Sequence, residues 1–270
     1  MPKQIINSLC VSLLLILVTN YKSYAANPTL PVDSLTIANL MYGVNRDVVQ
    51  EEITKDALLG KKVYADDPNF IVIDKKYTPL SSYNANIRRE TYAAFKRMYR
   101  AALRDGIELR VTSASRNFIT QRIIWEDKWK KSQAPAGITR VKDILKYSSV
   151  PGISRHHWGT DIDLMSPQLA YWESERGVKI YKWLCENAPK FGFFQTYTAD
   201  ISRGGFSEEK WHWSFYPISS IYLKAYKETI KNSDLTGFLG SESLSEFDII
   251  SEYVLGVSMP PTSLRKALQY

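Results

Sequence analysis

Pro151-Gly-Ile-Ser-Arg-His-His-Trp-Gly-Thr-Asp-Ile-Asp-Leu164 and a second segment, Glu208-Glu-Lys-Trp-His-Trp213, hold all three histidines of the 270-residue sequence. A borderline-soft divalent ion takes imidazole nitrogen and carboxylate oxygen, and a catalytic site keeps three protein ligands with one position open. His156 and Asp163 from the first segment and His212 from the second can supply that set. Glu209, three residues before His212, is then a carboxylate left free to move protons.

Local geometry narrows this only so far. Pro151-Gly152 turns the chain, and Asp161-Ile-Asp-Leu164 reads as extended, which points Asp161 and Asp163 to one face of a strand and leaves either as a ligand. The second segment also reads as a strand. Ideal alternation would place Glu208, Lys210 and His212 on one face and Glu209, Trp211 and Trp213 on the other, so Glu208 competes as the base.

Ser154, His156, Gly159 and Asp163 match the pattern Ser-x-His-x-x-Gly-x-x-x-Asp, and Glu209, His212 and Trp213 match Glu-x-x-His-aromatic. The pair resembles the zinc D,D-peptidases of the M15 family, across a segment from Ile107 to about Tyr216. The resemblance implies that His156, Asp163 and His212 bind Zn2+ and that Glu209 is the catalytic base, with a twist or bulge bringing Glu209 to His212. It also implies an α+β fold of the hedgehog/DD-peptidase kind.

Arg116 follows a strand end on a loop that opens a helix, a place suited to gripping a carboxylate or oxyanion; taken alone it reads as a surface ion-pair arginine. The resemblance makes Arg116 and Gln121 substrate-binding residues, with Arg116 also countering charge in the transition state. Ser154 is a substrate contact or a partner behind the ligands. Asp161 departs from the family pattern, which has a small residue there, and three roles stay open: holding a histidine, meeting a substrate amine, or pointing away. His157 reads as a structural or groove histidine. The implied substrate is a peptidoglycan stem peptide, most simply its terminal D-Ala-D-Ala. An L,D-carboxypeptidase, an endopeptidase and a non-catalytic zinc-containing wall-binding module are the alternatives.

Outside these segments, residues 1–25 read as a signal peptide: Lys3 in a short n-region, an apolar run from Ile5 to Val18 too short for a comfortable span, and Ser23-Tyr24-Ala25 before the cut. This implies an exported, periplasmic or extracellular protein with no stable membrane span after cleavage. Lys and Arg number 35 against 28 acids, and removing residues 1–25 takes away Lys3 and Lys22 but no acid. The remaining mild excess, without basic runs interleaved with aromatics, excludes a nucleic-acid groove binder. Two cysteines exclude a cysteine-ligated zinc cluster, and Cys185 alone remains after cleavage.

The pattern divides the chain into the signal peptide, an N-terminal extension over 26–82 laid on the core, a zinc peptidase catalytic domain over 83–231 and a C-terminal extension over 232–270. Asp33–Met41 could form a short helix and Pro68–Asp74 a short strand. Asn84–Asp105 carries Ile87, Thr91, Phe95, Met98 and Ala102 at helical steps and stops at Gly106; Ile107–Thr112 alternates as a strand. Helices are expected over Val141–Tyr147, over Ser174–Ala188 and after Trp213, with a strand over Phe193–Tyr197. The sum is a small, mainly antiparallel sheet with flanking helices.

Overall fold

Asn45 and Thr54 accept hydrogen bonds from the backbone N–H groups of Val48 (3.3 Å) and Ala57 (3.1 Å), capping α1 (Arg46–Glu51) and α2 (Lys55–Leu58). The computed structural model describes residues 42–79, 85–146 and 148–268. The expected signal peptide and the expected Asp33–Met41 helix lie outside the described residues, as does Tyr147.

β1 (Phe70–Val72) pairs antiparallel with β2 (Asn86–Arg88), and α3 (Arg89–Arg104) follows at once. The helix therefore begins later than its apolar stripe suggests: Ile87 pairs with Ile71 in a ladder, and Arg88 takes extended geometry. Arg88 is buried, and its guanidinium meets Glu52 and Glu90 at 3.1 Å each and the Tyr222 hydroxyl at 3.2 Å. One buried cation thus ties the segment after α1 to the core, because leaving it unpaired would cost about 3–5 kcal/mol.

Ile107, Leu109 and Val111 are all buried, as period-two alternation requires, but the ladder covers only β3 (Val111–Ser113), and its register shifts between Val111 and Ser113. Asn117 caps α4 (Phe118–Lys131), which buries Phe118, Gln121 and Trp125; α5 (Ile138–Leu145) follows. A 3-10 turn over Arg155–Trp158 leads into β4 (Asp161–Leu164), buried along its whole length. Then come α6 (Leu169–Glu173), α7 (Glu175–Asn187) capped by Ser174, β5 (Phe193–Gln195), β6 (His212–Phe215), α8 (Tyr216–Thr229) and, near the end, α9 (Thr262–Lys266). All strand pairings are antiparallel, and the four-stranded sheet runs β3-β4-β6-β5. This is an α+β architecture.

Trp125, Trp158, Trp172 and Trp213 are fully buried in one core, which also takes in Val44, Val49, Leu58 and Leu59 from the N-terminal side and Leu235, Leu244, Ile249 and Val254 from the C-terminal side. Among the described residues no helix is long and apolar enough to cross a membrane.

Gly159 explains its own place in the first motif. It closes the 3-10 turn at φ +71°, and a Cβ there would lie 2.4 Å from Phe70 Cε1 and 3.0 Å from Arg88 Cγ. A left-handed residue with a Cβ costs about 1–2 kcal/mol before any clash is counted. Gly159→Ala is therefore expected to lower unfolding free energy by at least about 2 kcal/mol, read as a lower urea midpoint with an unchanged m-value.

Candidate metal centre

The β4–β6 register sets Asp163 opposite His212 and Asp161 opposite Ser214. Residues two apart on a strand share a face, so both aspartates look at the imidazole. His212 Nδ1 lies 3.1 Å from Asp163 Oδ1, and His212 Nε2 lies 3.0 Å from Asp161 Oδ1. His156 comes from the 3-10 turn, its Nε2 3.3 Å from Asp163 Oδ2. Ligand atoms of His156, Asp163 and His212 all lie within 4.8 Å of one another, and all three residues are buried. Four ligands about 2.05 Å from a tetrahedral ion stand about 3.3 Å apart. The contacts of 3.1 and 3.3 Å, one to each Asp163 oxygen, are near that spacing, and with all three ligand atoms within 4.8 Å the donor set matches a zinc centre in kind and lies close to it in geometry.

Hydrogen bonds fix which nitrogen each imidazole offers. His156 Nδ1 donates to the Ala114 carbonyl at 2.7 Å, and a carbonyl can only accept, so its Nε2 keeps a lone pair toward Asp163. His157 is occupied at both nitrogens: Nδ1 donates to the Arg116 carbonyl at 2.6 Å and Nε2 accepts from the Gly152 N–H at 3.0 Å. Burial pushes His157 down to about 3, so it is neutral and acts as a brace between two loops.

Glu209 reaches the same point by a different route from the one its sequence suggests. β6 starts only at His212, and the His212 N–H donates to the Glu209 carbonyl at 3.2 Å across a turn. A turn, rather than a bulged strand, sets Glu209 Oε2 3.7 Å from His212 Nδ1. The Glu209 N–H is held by the Tyr197 carbonyl at 2.9 Å. Burial pushes the Glu209 carboxyl up to about 7, against the opposing pull of His212. Burial would lower His212, but its hydrogen bonds to Asp161 and Asp163 outweigh that and raise it to about 9. Burial disfavours the charged Asp163, yet the two imidazoles hold it well below the usual carboxylate range.

A cleft of about 530 Å³ opens over these groups, lined by Arg116, Ser154, His156, Asp163, Glu209 and His212, with Lys146, Ser148 and Ser149 on its wall. The Arg116 backbone is fixed by the His156 carbonyl, which accepts its N–H at 3.1 Å, and by the Tyr64 hydroxyl, 3.0 Å from its carbonyl. Its buried Nε has no hydrogen-bond partner among the described residues. Gln121 is not brought to the cleft: it is fully buried on α4, and its amide donates to the Ser149 carbonyl at 2.8 Å. The sequence reading overlooked Tyr197, whose ring stands 4.9 Å from that of His212 on the cleft wall. No local pattern marks a tyrosine at a strand end as a neighbour of a residue fifteen positions on. It also left Asp161 open; here Asp161 lies behind His212, away from the cleft.

A sequence model of the family described as VanY, D-alanyl-D-alanine carboxypeptidase, matches residues 84–218. An uncharacterized protein of Haemophilus influenzae is 30% identical over 122 residues, covering 39% of this chain and 93% of that protein. A D-alanyl-D-alanine carboxypeptidase of Enterococcus faecalis is 29% identical over 127 residues, covering 46% of each chain, so the match spans about half of that enzyme's length. Among solved structures, the LdcB LD-carboxypeptidase aligns at 21% identity and a TM-score of 0.48, covering 67% of this chain and 78% of that one.

Zinc at 100 times its dissociation constant is expected to stabilise the fold by about 2.7 kcal/mol. Thermal melting should show a rise in midpoint that a chelator reverses and that His156→Ala abolishes.

Proposed function

The chain belongs to the VanY family of D-alanyl-D-alanine carboxypeptidases, and on that premise we propose that it is a zinc carboxypeptidase releasing the terminal D-alanine of peptidoglycan stem peptides. The observation that carries the reading is the meeting of His156, Asp163 and His212 beside the unliganded Glu209 on the floor of one cleft. We assign the catalytic unit to residues 83–231. The substrate lies outside the cytoplasmic membrane, so the reading carries export with it, and the apolar run from Ile5 to Val18 is the segment that would direct it.

His156 Nε2, an Asp163 oxygen and His212 Nδ1 would hold the ion. Bound there, zinc supplies Lewis acidity and a water acidic enough to ionise near neutral pH. Glu209 takes the proton from the attacking water and passes it to the leaving amine as the C–N bond breaks. A carboxyl raised to about 7 suits both halves of that transfer, since a group near the working pH gives up a proton as readily as it takes one. Arg116 faces the cleft, its Nε without a partner among the described residues, and counters the charge that develops on the scissile carbonyl oxygen. Ser154, with Lys146, Ser148 and Ser149 farther along the wall, offers donors to the terminal carboxylate. Gln121 acts from behind by holding Ser149, in place of the direct contact that the resemblance implies.

The zinc-loaded protein should release D-alanine from a stem pentapeptide, with mass analysis showing loss of a single terminal residue. Glu209→Gln should keep zinc affinity within a few-fold and lose about 10²–10⁴ in kcat. Arg116→Lys should lose about 10²–10³ in kcat. Cleavage of a tetrapeptide, or inside the peptide, in preference to the pentapeptide would overturn the D,D assignment.

A further inference from the structure

Asp161 has no exposed surface and stands away from the cleft, yet its carboxylate is surrounded by donors. Oδ1 accepts from Arg155 Nε at 3.0 Å and from His212 Nε2 at 3.0 Å, while Oδ2 accepts from the Thr160 hydroxyl. Arg155 is itself buried; its Nη2 donates to Ser214 Oγ at 2.7 Å, and its guanidinium stacks 4.8 Å over Trp158. Ser214 in turn bonds Ser219 at 2.9 Å, at the start of α8. Arg155 and Thr160 therefore hold the carboxylate from two sides, and the second acceptor site of Oδ1 is turned to His212.

Neutralising Arg155 would account for a buried acid here but not for its aim. An imidazole that binds an ion carries one proton, and on His212 the nitrogen that keeps it decides whether the ring can be a ligand at this point. A proton on Nδ1 would face Asp163 and Glu209 and block the lone pair. An acceptor fixed at Nε2 pulls the proton there and leaves Nδ1 free. His156 is set by the Ala114 carbonyl in the opposite sense, with Nδ1 protonated and Nε2 free. The two rings offer different nitrogens to one point, and a different outer acceptor selects each.

We propose that Asp161, oriented by Arg155 and Thr160, is the positioning residue of the metal centre, holding His212 in the Nε2–H tautomer with Nδ1 turned to the ion and enriching that nitrogen as a donor. This rests on the metal site proposed above. Outer partners of this kind change metal affinity by about 10–100-fold when removed.

The test uses the full chain and two variants. Asp161→Asn keeps shape and removes the charge, and Arg155→Leu/Asp161→Ala removes the buried pair together, a change close to neutral for stability where deletion of one partner is not. Zinc affinity is measured by competition with a chromophoric chelator, and the visible spectrum of the cobalt(II) form reports ligand geometry. Both variants should bind zinc about 10–100-fold more weakly than the parent, with an altered cobalt spectrum, while the metal-free double variant unfolds at a urea midpoint close to the parent's. Parent-like affinity and spectrum in the double variant would overturn the proposal. So would failure of both variants to fold, which would make the pair a structural element only. A parent chain that binds no zinc would instead overturn the metal site itself.

Discussion

Pairing of β4 with β6 is the constraint on which the rest of the centre depends. Its register sets Asp163 against His212 and Asp161 against Ser214, so two acids and an imidazole share one buried face between the sheet and the 3-10 turn. A slip of one residue would turn all of these side chains to the opposite face. Strand pairing at the centre of a sheet resists such a slip, because β3 and β5 close both outer edges of the pair and every strand residue of β4 and β6 is buried. The centre is therefore held by backbone hydrogen bonds before any ion contributes.

Much of this was legible in the sequence, and the gaps have physical causes. Period-two alternation located β4, and scarcity of histidine pointed to the segments that the fold brings together. The apolar stripe from Ile87 to Ala102 marked α3 but not its start. Ile87 fits a helix face and a strand face equally well, and a ladder with β1 decided between them. Alternation misplaced Glu209 because the segment from Glu208 to Trp211 is a loop and turn, where side-chain direction follows φ and ψ rather than a period. Gln121 sat at the expected spacing, yet only the packing of α4 against the Ser148-Ser149 segment shows that it faces inward. The acceptor behind His156, a backbone carbonyl at Ala114, has no side-chain signature at all.

Segments on either side of the family match brace the loops that line the cleft. On the N-terminal side Tyr64 braces the Arg116 loop, and the Trp158 indole donates to the Leu58 carbonyl at 3.1 Å. On the C-terminal side, the loop leading to Glu209 is tied down by residues far beyond it. Ser258 bonds the backbone of Thr196 and Thr198 at 2.8 and 3.1 Å, and Arg203 spans the carbonyls of Thr198 and Gly256 at 3.0 and 3.3 Å. Tyr253 meets Phe206 edge-on at 5.0 Å, with Phe206 on the cleft wall.

The family match ends at residue 218, whereas the strap that backs Phe206 lies between Phe247 and Ser258. Every residue that lines the cleft thus falls inside the matched segment, while the support behind one of its walls falls outside it. A change confined to that strap would therefore reach the cleft through Phe206 and the loop it backs, leaving every residue around the metal centre in its place.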